Sequence, residues 1–180
     1  MLRAFTSLIP AALLVMLSAC GSDHIEVERT AALPVLQANF VVIPSKTQDK
    51  AKDYSKYADL ITTDLSRTGL HRVEDAAQAR YGLMFSYDGD GAERGSDDRH
   101  RGIGEKKYSD GKVARTVSIM IYDLTRPRLI NEAVFGGYAE CPVDSLRRDP
   151  IVMPAMFDAI LKDFPGEGRE TYKADLPSMK

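Results

Sequence analysis

Apolar and polar positions change their spacing several times along the chain, and each change marks an element. Leu8–Leu17 (LIPAALLVML) is an apolar run containing Pro10. It falls short of the ~20 residues a membrane-spanning helix requires. Residues 21–37 show no sustained period and include Pro34, so they predict a connecting segment with a short extended piece at His24–Val27. Asn39–Pro44 (NFVVIP) is a short apolar run closed by proline, the pattern of a buried strand. From Asp49 to Thr68 the residues Tyr54, Tyr57, Ala58, Ile61 and Leu65 recur three and four apart, which predicts a helix with one apolar stripe. Gly69 sits where a helix ends in a left-handed residue.

Leu70–Val73 predicts a short strand, and Asp75 can cap a single helical turn reaching Ala79. Tyr81–Tyr87 alternates Tyr81, Leu83, Phe85 and Tyr87 with smaller residues, and Val113–Asp123 is the longest β-branched stretch. A proline turn at Thr125–Arg128 leads into a second hairpin arm expected at Leu129–Tyr138. Pro150–Phe164 predicts a closing helix with Ile151, Met156, Phe157, Ile160 and Leu161 near one face, stopped by Pro165-Gly166. Residues 166–180 read as a polar tail. These elements predict a single α+β domain, 38–165, in which a mixed, mostly antiparallel sheet carries two helices on one face, in the order β-α-β-β-β-β-α. The first strand returns through the first helix toward the second, and if those two lie parallel in one sheet the crossover should be right-handed.

Composition narrows the function classes. The chain has 180 residues, 44% hydrophobic and 28% charged, with a formal net charge of −2. That is the balance of a globular domain and offers no basic footprint for nucleic acid. Arg3 is the only charge in residues 1–19, so their removal leaves a net charge near −3.

The N-terminal chemistry is more specific. Arg3, the apolar run and Leu17-Ser18-Ala19-Cys20 follow in the order of an export signal. The last four resemble the lipobox of bacterial lipoproteins, which have an aliphatic residue and two small ones before the modified cysteine. The resemblance implies cleavage between Ala19 and Cys20, removal of 1–19, and a diacylglyceryl thioether on Cys20. Two or three acyl chains hold a protein firmly, since each buried CH₂ contributes about 0.8 kcal/mol. Gly21 is the sorting position in such lipoproteins, and its not being Asp implies the outer membrane, with the domain facing the periplasm. Residues 20–37 would then tether the domain up to roughly 60 Å from the lipid.

FVVIP at Phe40–Pro44, Tyr57-Ala58-Asp59-Leu60, Thr68-Gly69-Leu70, ARYGLMFSYD at Ala79–Asp88, the hairpin and the helix ending in Phe164-Pro165 lie in a familiar order. They resemble the bacterial lipoproteins grouped as domain of unknown function 4136, over residues 38–165. Arg80 departs from that pattern, which has an acidic residue before the strand. The resemblance implies a periplasm-facing lipoprotein and supplies no mechanism.

Catalytic and metal-binding patterns do not emerge. His24, His71 and His100 lack the spacing of a metal pair, and no nucleophile elbow or phosphate-cradling loop occurs. Counted as an EF-hand loop from Asp88, the ligand positions hold Asp88, Asp90 and Ala92, with Glu93 in place of the glycine and Arg99 in place of the bidentate Glu. A turn explains that segment better. With Cys20 consumed by lipid, Cys141 is left to act as a small buried hydrophobe or as an intermolecular thiol. The expectation is therefore no catalytic residue, no metal, no cofactor and no enzyme, but a binding or scaffolding module. It would meet the membrane through Cys20 and an envelope protein through the long 89–111 loop of mixed charge. A small amphipathic ligand held between helices and sheet is the first alternative, and a cell-wall or lipid hydrolase the second.

Overall fold

The computed structural model describes residues 24–32, 35, 37–44, 53–87, 112–126, 133–143 and 149–176. Cys20, Gly21 and the 89–111 loop lie outside the described residues. The elements are β1 (His24–Ala31), β2 (Asn39–Val42), α1 (Tyr54–Arg67), β3 (His71–Arg72), β4 (Tyr81–Tyr87), β5 (Val113–Asp123), β6 (Phe135–Val143), α2 (Asp149–Leu161) and β7 (Gly168–Asp175). They build one seven-stranded sheet in the order β3-β2-β4-β5-β6-β1-β7. The β2 strand runs parallel to β3 and β4, and all the other pairs are antiparallel. The α+β class, the mixed and mostly antiparallel sheet and the two helices therefore stand.

Alternation sets the core. Tyr81, Leu83, Phe85 and Tyr87 on β4 point to the same side as Val117, Ile119 and Ile121 on β5 and Phe135, Ala139 and Cys141 on β6, and all are buried. The stripe read on α1 is the buried one, with Tyr57, Ala58, Ile61 and Leu65 facing this layer. Rings join the elements: Tyr54 stacks on Phe85 at 4.7 Å, and Phe157 meets Phe85 edge-on at 6.0 Å. The α2 helix packs tightly on the sheet at Gly137, where a Cβ would overlap Ile160 Cγ2. Gly69 ends α1 at φ +91°, and the Asp75 carboxylate accepts from Ala77 N at 2.9 Å above a 3-10 turn, both as read from sequence.

Three readings are corrected. Within the expected tether 20–37, His24–Ala31 is a strand, β1, paired with β6 on one side and β7 on the other. Residues 166–180 are not simply a tail, because 168–175 form β7. The order gains a strand at each end, and the domain runs from 24 to at least 175 in place of 38–165. The alternation was present: Ile25 and Val27 point inward, but the next inward position is Arg29, which breaks the apolar pattern while itself being only 6% exposed.

Arg29 can be buried because the two corrected segments complete each other. Its Nε and Nη2 donate to Glu170 Oε2 on β7 at 2.8 and 2.5 Å, its Nη1 donates to the Lys162 carbonyl beyond α2, and its guanidinium lies 5.3 Å from the Tyr172 ring centroid. A cation at a helix C-terminus also meets the negative end of the helix dipole. Two smaller differences remain. Among the described residues the second hairpin arm is Phe135–Val143, running past the expected end at Tyr138, and Ile151, placed on the inner face of the closing helix, is 40% exposed while Val152 and Met153 are buried.

Candidate functional site

Both helices occupy one side of the sheet, and among the described residues no element covers the other. The side chains on that open side fall into two zones. On β2, β4 and β5 the outward positions are Val41, Met84, Ser86, Thr116, Ser118, Met120 and Tyr122, without a single charge, and all are at least half-buried. On β6, β1 and β7 they include Glu140, Glu26, Glu28, Arg169 and Lys173. An uncharged centre beside a charged rim is the anatomy of a recognition surface.

The centre has shape as well as composition. Gly136 has no side chain to fill its place beside Met120, whose Sδ would lie 3.2 Å from a Cβ there. A depression of about 590 Å³ opens over these residues, lined by Ser86, Ser118, Met120, Gly136, Tyr138, Thr30 and Glu28. Its polar groups partly satisfy one another: Ser86 Oγ and Ser118 Oγ are 2.7 Å apart, and Tyr138 donates to Glu140 at 3.0 Å. Burial pushes the Tyr122 phenol above its ordinary range.

A second cleft, about 480 Å³, lies between the ends of α1 and α2, lined by Leu60, Asp64, Arg67, Asp158, Lys162 and Asp163 among others. Burial, a hydrogen bond to Asp64 and the charge of Asp64 raise the Asp158 carboxyl to about 6, while Arg67 acts in the opposite sense. Perturbed carboxylates in a cleft are a reason to consider acid–base chemistry. Here the two carboxyl groups are direct neighbours that influence each other, whereas glycosidase carboxylates stand about 5–9 Å apart with the scissile bond between them. Asp64 Oδ1 is taken by Arg67 at 2.9 Å. The pair works as a helix–helix contact.

The residues singled out in the sequence are scattered. Cys141 is fully buried in the core and not disulfide-bonded, its Sγ 3.7 Å from the Pro142 carbonyl oxygen, so the intermolecular-thiol alternative lacks an accessible sulfur. His24 lies 3.3 Å from Glu26 on β1, and His71 is exposed on β3. Among the described residues no cluster of His, Cys, Asp and Glu could hold a metal ion. Asp88, Asp90 and His100 lie outside the described residues. The open face itself was missed. Its signal was the lack of charge at every second position of β4 and β5, where a strand washed by solvent normally carries some.

No family model matches the chain, and no curated protein matches it. Among solved structures the chain is similar to PelC from Paraburkholderia phytofirmans, described as a dodecamer. One such structure, of a singly substituted form, is 14% identical with a TM-score of 0.47, covering 76% of this chain and 95% of that one. Another is 13% identical with the same score and coverage.

Proposed function

We propose that the chain is a lipid-anchored envelope lipoprotein whose domain is a non-catalytic binding module, engaging a protein partner through the open face of its sheet. The observation that carries the binding reading is the uncharged centre of that face, Met84, Ser86, Ser118, Met120 and Tyr122, with no described element over it. The anchor rests on Leu17-Ser18-Ala19-Cys20 and agrees with the described helices, none of which is long and apolar enough to cross a membrane. Outer-membrane placement rests on Gly21, and the likeness to the 4136 lipoproteins supports the same reading. The 89–111 loop remains a second proposed contact on the strength of its length and mixed charge.

A photo-crosslinking residue at Ser118 or Met120, compared with one at Asp59 on the exposed side of α1, tests the face directly in cells. Crosslinks to one envelope protein from the sheet positions and none from Asp59 support it; equal capture, or none, sinks it. Replacing 91–109 by a short Asn-Gly turn tests the loop in the same assay. The second reading, a small amphipathic ligand, is favoured by the 590 Å³ depression, which falls within the range of small-molecule sites. A ligand co-purifying with wild type and lost from Gly136→Leu would select it.

A further inference from the structure

We propose that the outer edge of β7 pairs antiparallel with the β7 edge of a second copy of this chain, joining two sheets about a two-fold axis at Tyr172. The two ends of the sheet differ in kind. At one end β3 has only two residues, His71 and Arg72, a length that offers a partner strand little. At the other, β7 has eight residues and pairs with β1 in unbroken register from His24↔Asp175 to Ala31↔Gly168, without a bulge or proline. Alternate N–H and C=O groups along β7 therefore point outward, and among the described residues no strand receives them.

Charges on an edge strand normally discourage such pairing, yet three of those on β7 are engaged with β1. Arg169 pairs with Glu28, Lys173 Nζ lies 3.6 Å from Glu26, and Glu170 is held by Arg29, all on β1. The sequence of β7 then selects both the partner and the register. A perpendicular two-fold axis keeps each side chain on its own face, so facing residues share a face. With Tyr172 opposite Tyr172, Arg169 faces Asp175 at both ends and Thr171 faces Lys173. Moving the axis to Thr171 sets Arg169 against Lys173, and moving it to Lys173 sets that lysine against itself. A parallel, in-register pairing puts every charge against its like. Among the registers of this symmetry that pair five or more β7 residues of each copy, this one alone sets opposite charges together, and main-chain bonds along the edge supply the affinity, as in strand addition generally.

The full-length chain in detergent, followed by sedimentation over a range of concentrations, should show a monomer–dimer equilibrium. Arg169→Asp and Asp175→Arg should each weaken the dimer about tenfold, and the double exchange should restore it. A role for Arg169 confined to its own chain predicts no rescue, because the aspartate introduced in the double variant still faces Glu28. As a register test, Arg169→Cys with Asp175→Cys in one chain should oxidise to a covalent dimer. Neither single variant should do so, since like positions are roughly 20 Å apart in this register. A chain that stays monomeric throughout, a double exchange without rescue, or equal crosslinking by single variants overturns the proposal.

Discussion

Asp158 on α2 faces Asp64 on α1, and the two carboxyl groups can bond only when one of them carries a proton. With both ionised, Asp64 Oδ2 is buried without a donor; a proton on Asp158 provides one. The Asp158 carboxyl is accordingly raised to about 6, first by burial and then by Asp64. A carboxyl with a folded-state pKa above its unfolded value of about 3.9 favours folding fully at low pH and loses that contribution as pH rises through about 6. Asp158 remains partly open to solvent, so screening brings the effect to on the order of 1 kcal/mol. Asp158→Asn keeps a donor toward Asp64 at every pH. Urea unfolding of this variant should lack the decline expected of wild type between about pH 4 and 6.5 and should show higher stability at neutral pH. An unchanged slope would mean that the pair does not carry it.

Asp123 runs in the opposite direction. It is 4% exposed at the end of β5, and burial alone would raise its carboxyl. The hydroxyl and backbone N–H of Thr125, at 2.6 and 3.0 Å, together with Arg80, outweigh burial and hold it below the ordinary carboxylate range. Stability from this group is present above its unfolded value and lost as pH falls through the lower folded one. Arg80, the departure from the 4136 pattern, thus has a place, its Nη2 3.4 Å from Asp123 Oδ2. Arg80→Glu should cost about 1–3 kcal/mol at neutral pH by setting an anion against a buried anion. Thermal unfolding should show the penalty shrinking as the solution is acidified through the carboxylate range.

Arg29 and Glu170 fasten the first described strand to the last. Arg29→Met keeps the stem but removes the charge, leaving the Lys162 carbonyl without its donor and Glu170 without its partner. The loss should be about 2–4 kcal/mol. It should also be local: amide exchange in 168–175 should speed up before that in β4 and β5. Truncation after Gly166 should give a comparable drop in Tm, whereas a dispensable tail would leave Tm unchanged.

The centre of the fold was legible because its residues announce themselves. Tyr57, Ile61 and Leu65 keep helical spacing, and Tyr81–Tyr87 and Val113–Asp123 alternate over large apolar side chains. The two flanking strands were not, because their inward positions include an ion pair of buried Arg29 with partly exposed Glu170, which looks like surface in a one-dimensional pattern. Ile151 misled for the converse reason: α2 is apolar on nearly every side, so spacing does not single out the residue left exposed. The open face was hidden because Ser86 and Ser118 read as ordinary outward residues until register sets them side by side.

Two core positions test the packing from opposite directions. Ile61 is fully buried, and Ile61→Ala should cost about 2–5 kcal/mol through the cavity it leaves. Gly137→Ala adds one methyl where Ile160 Cγ2 already occupies the space of the ideal Cβ, and a β-branched side chain has little room to yield. Overpacking should cost about 1–3 kcal/mol. Chemical denaturation of either variant within half a kcal/mol of wild type would show that α2 is seated differently on the sheet.

If Cys20 carries lipid, the position of β1 decides which end of the sheet faces the membrane. The sequence alone allowed a reach of roughly 60 Å through residues 20–37. The start of β1 at His24 leaves only residues 21–23 between the anchor and the sheet. At ~3.4 Å per residue, His24 lies within roughly 14 Å of the lipidated cysteine. Strand directions place Asp175, Val143, Val113 and Tyr87 at the same end as His24, and Ala31, Gly168 and Phe135 at the other. The 89–111 connection leaves from Tyr87 and returns at Val113, so both its roots are at the end nearest the lipid. Incorporation of labelled palmitate into wild type and not into Cys20→Ser establishes the anchor first. Fluorophores on His24→Cys and Thr30→Cys, about 20 Å apart along β1, then report orientation in liposomes, since buried Cys141 should stay unlabelled in the folded chain. Lipid-borne quenchers should reach the label at 24 far more strongly than that at 30. Equal quenching would mean that the domain lies flat on the bilayer, with its open face no longer equally free to meet a partner.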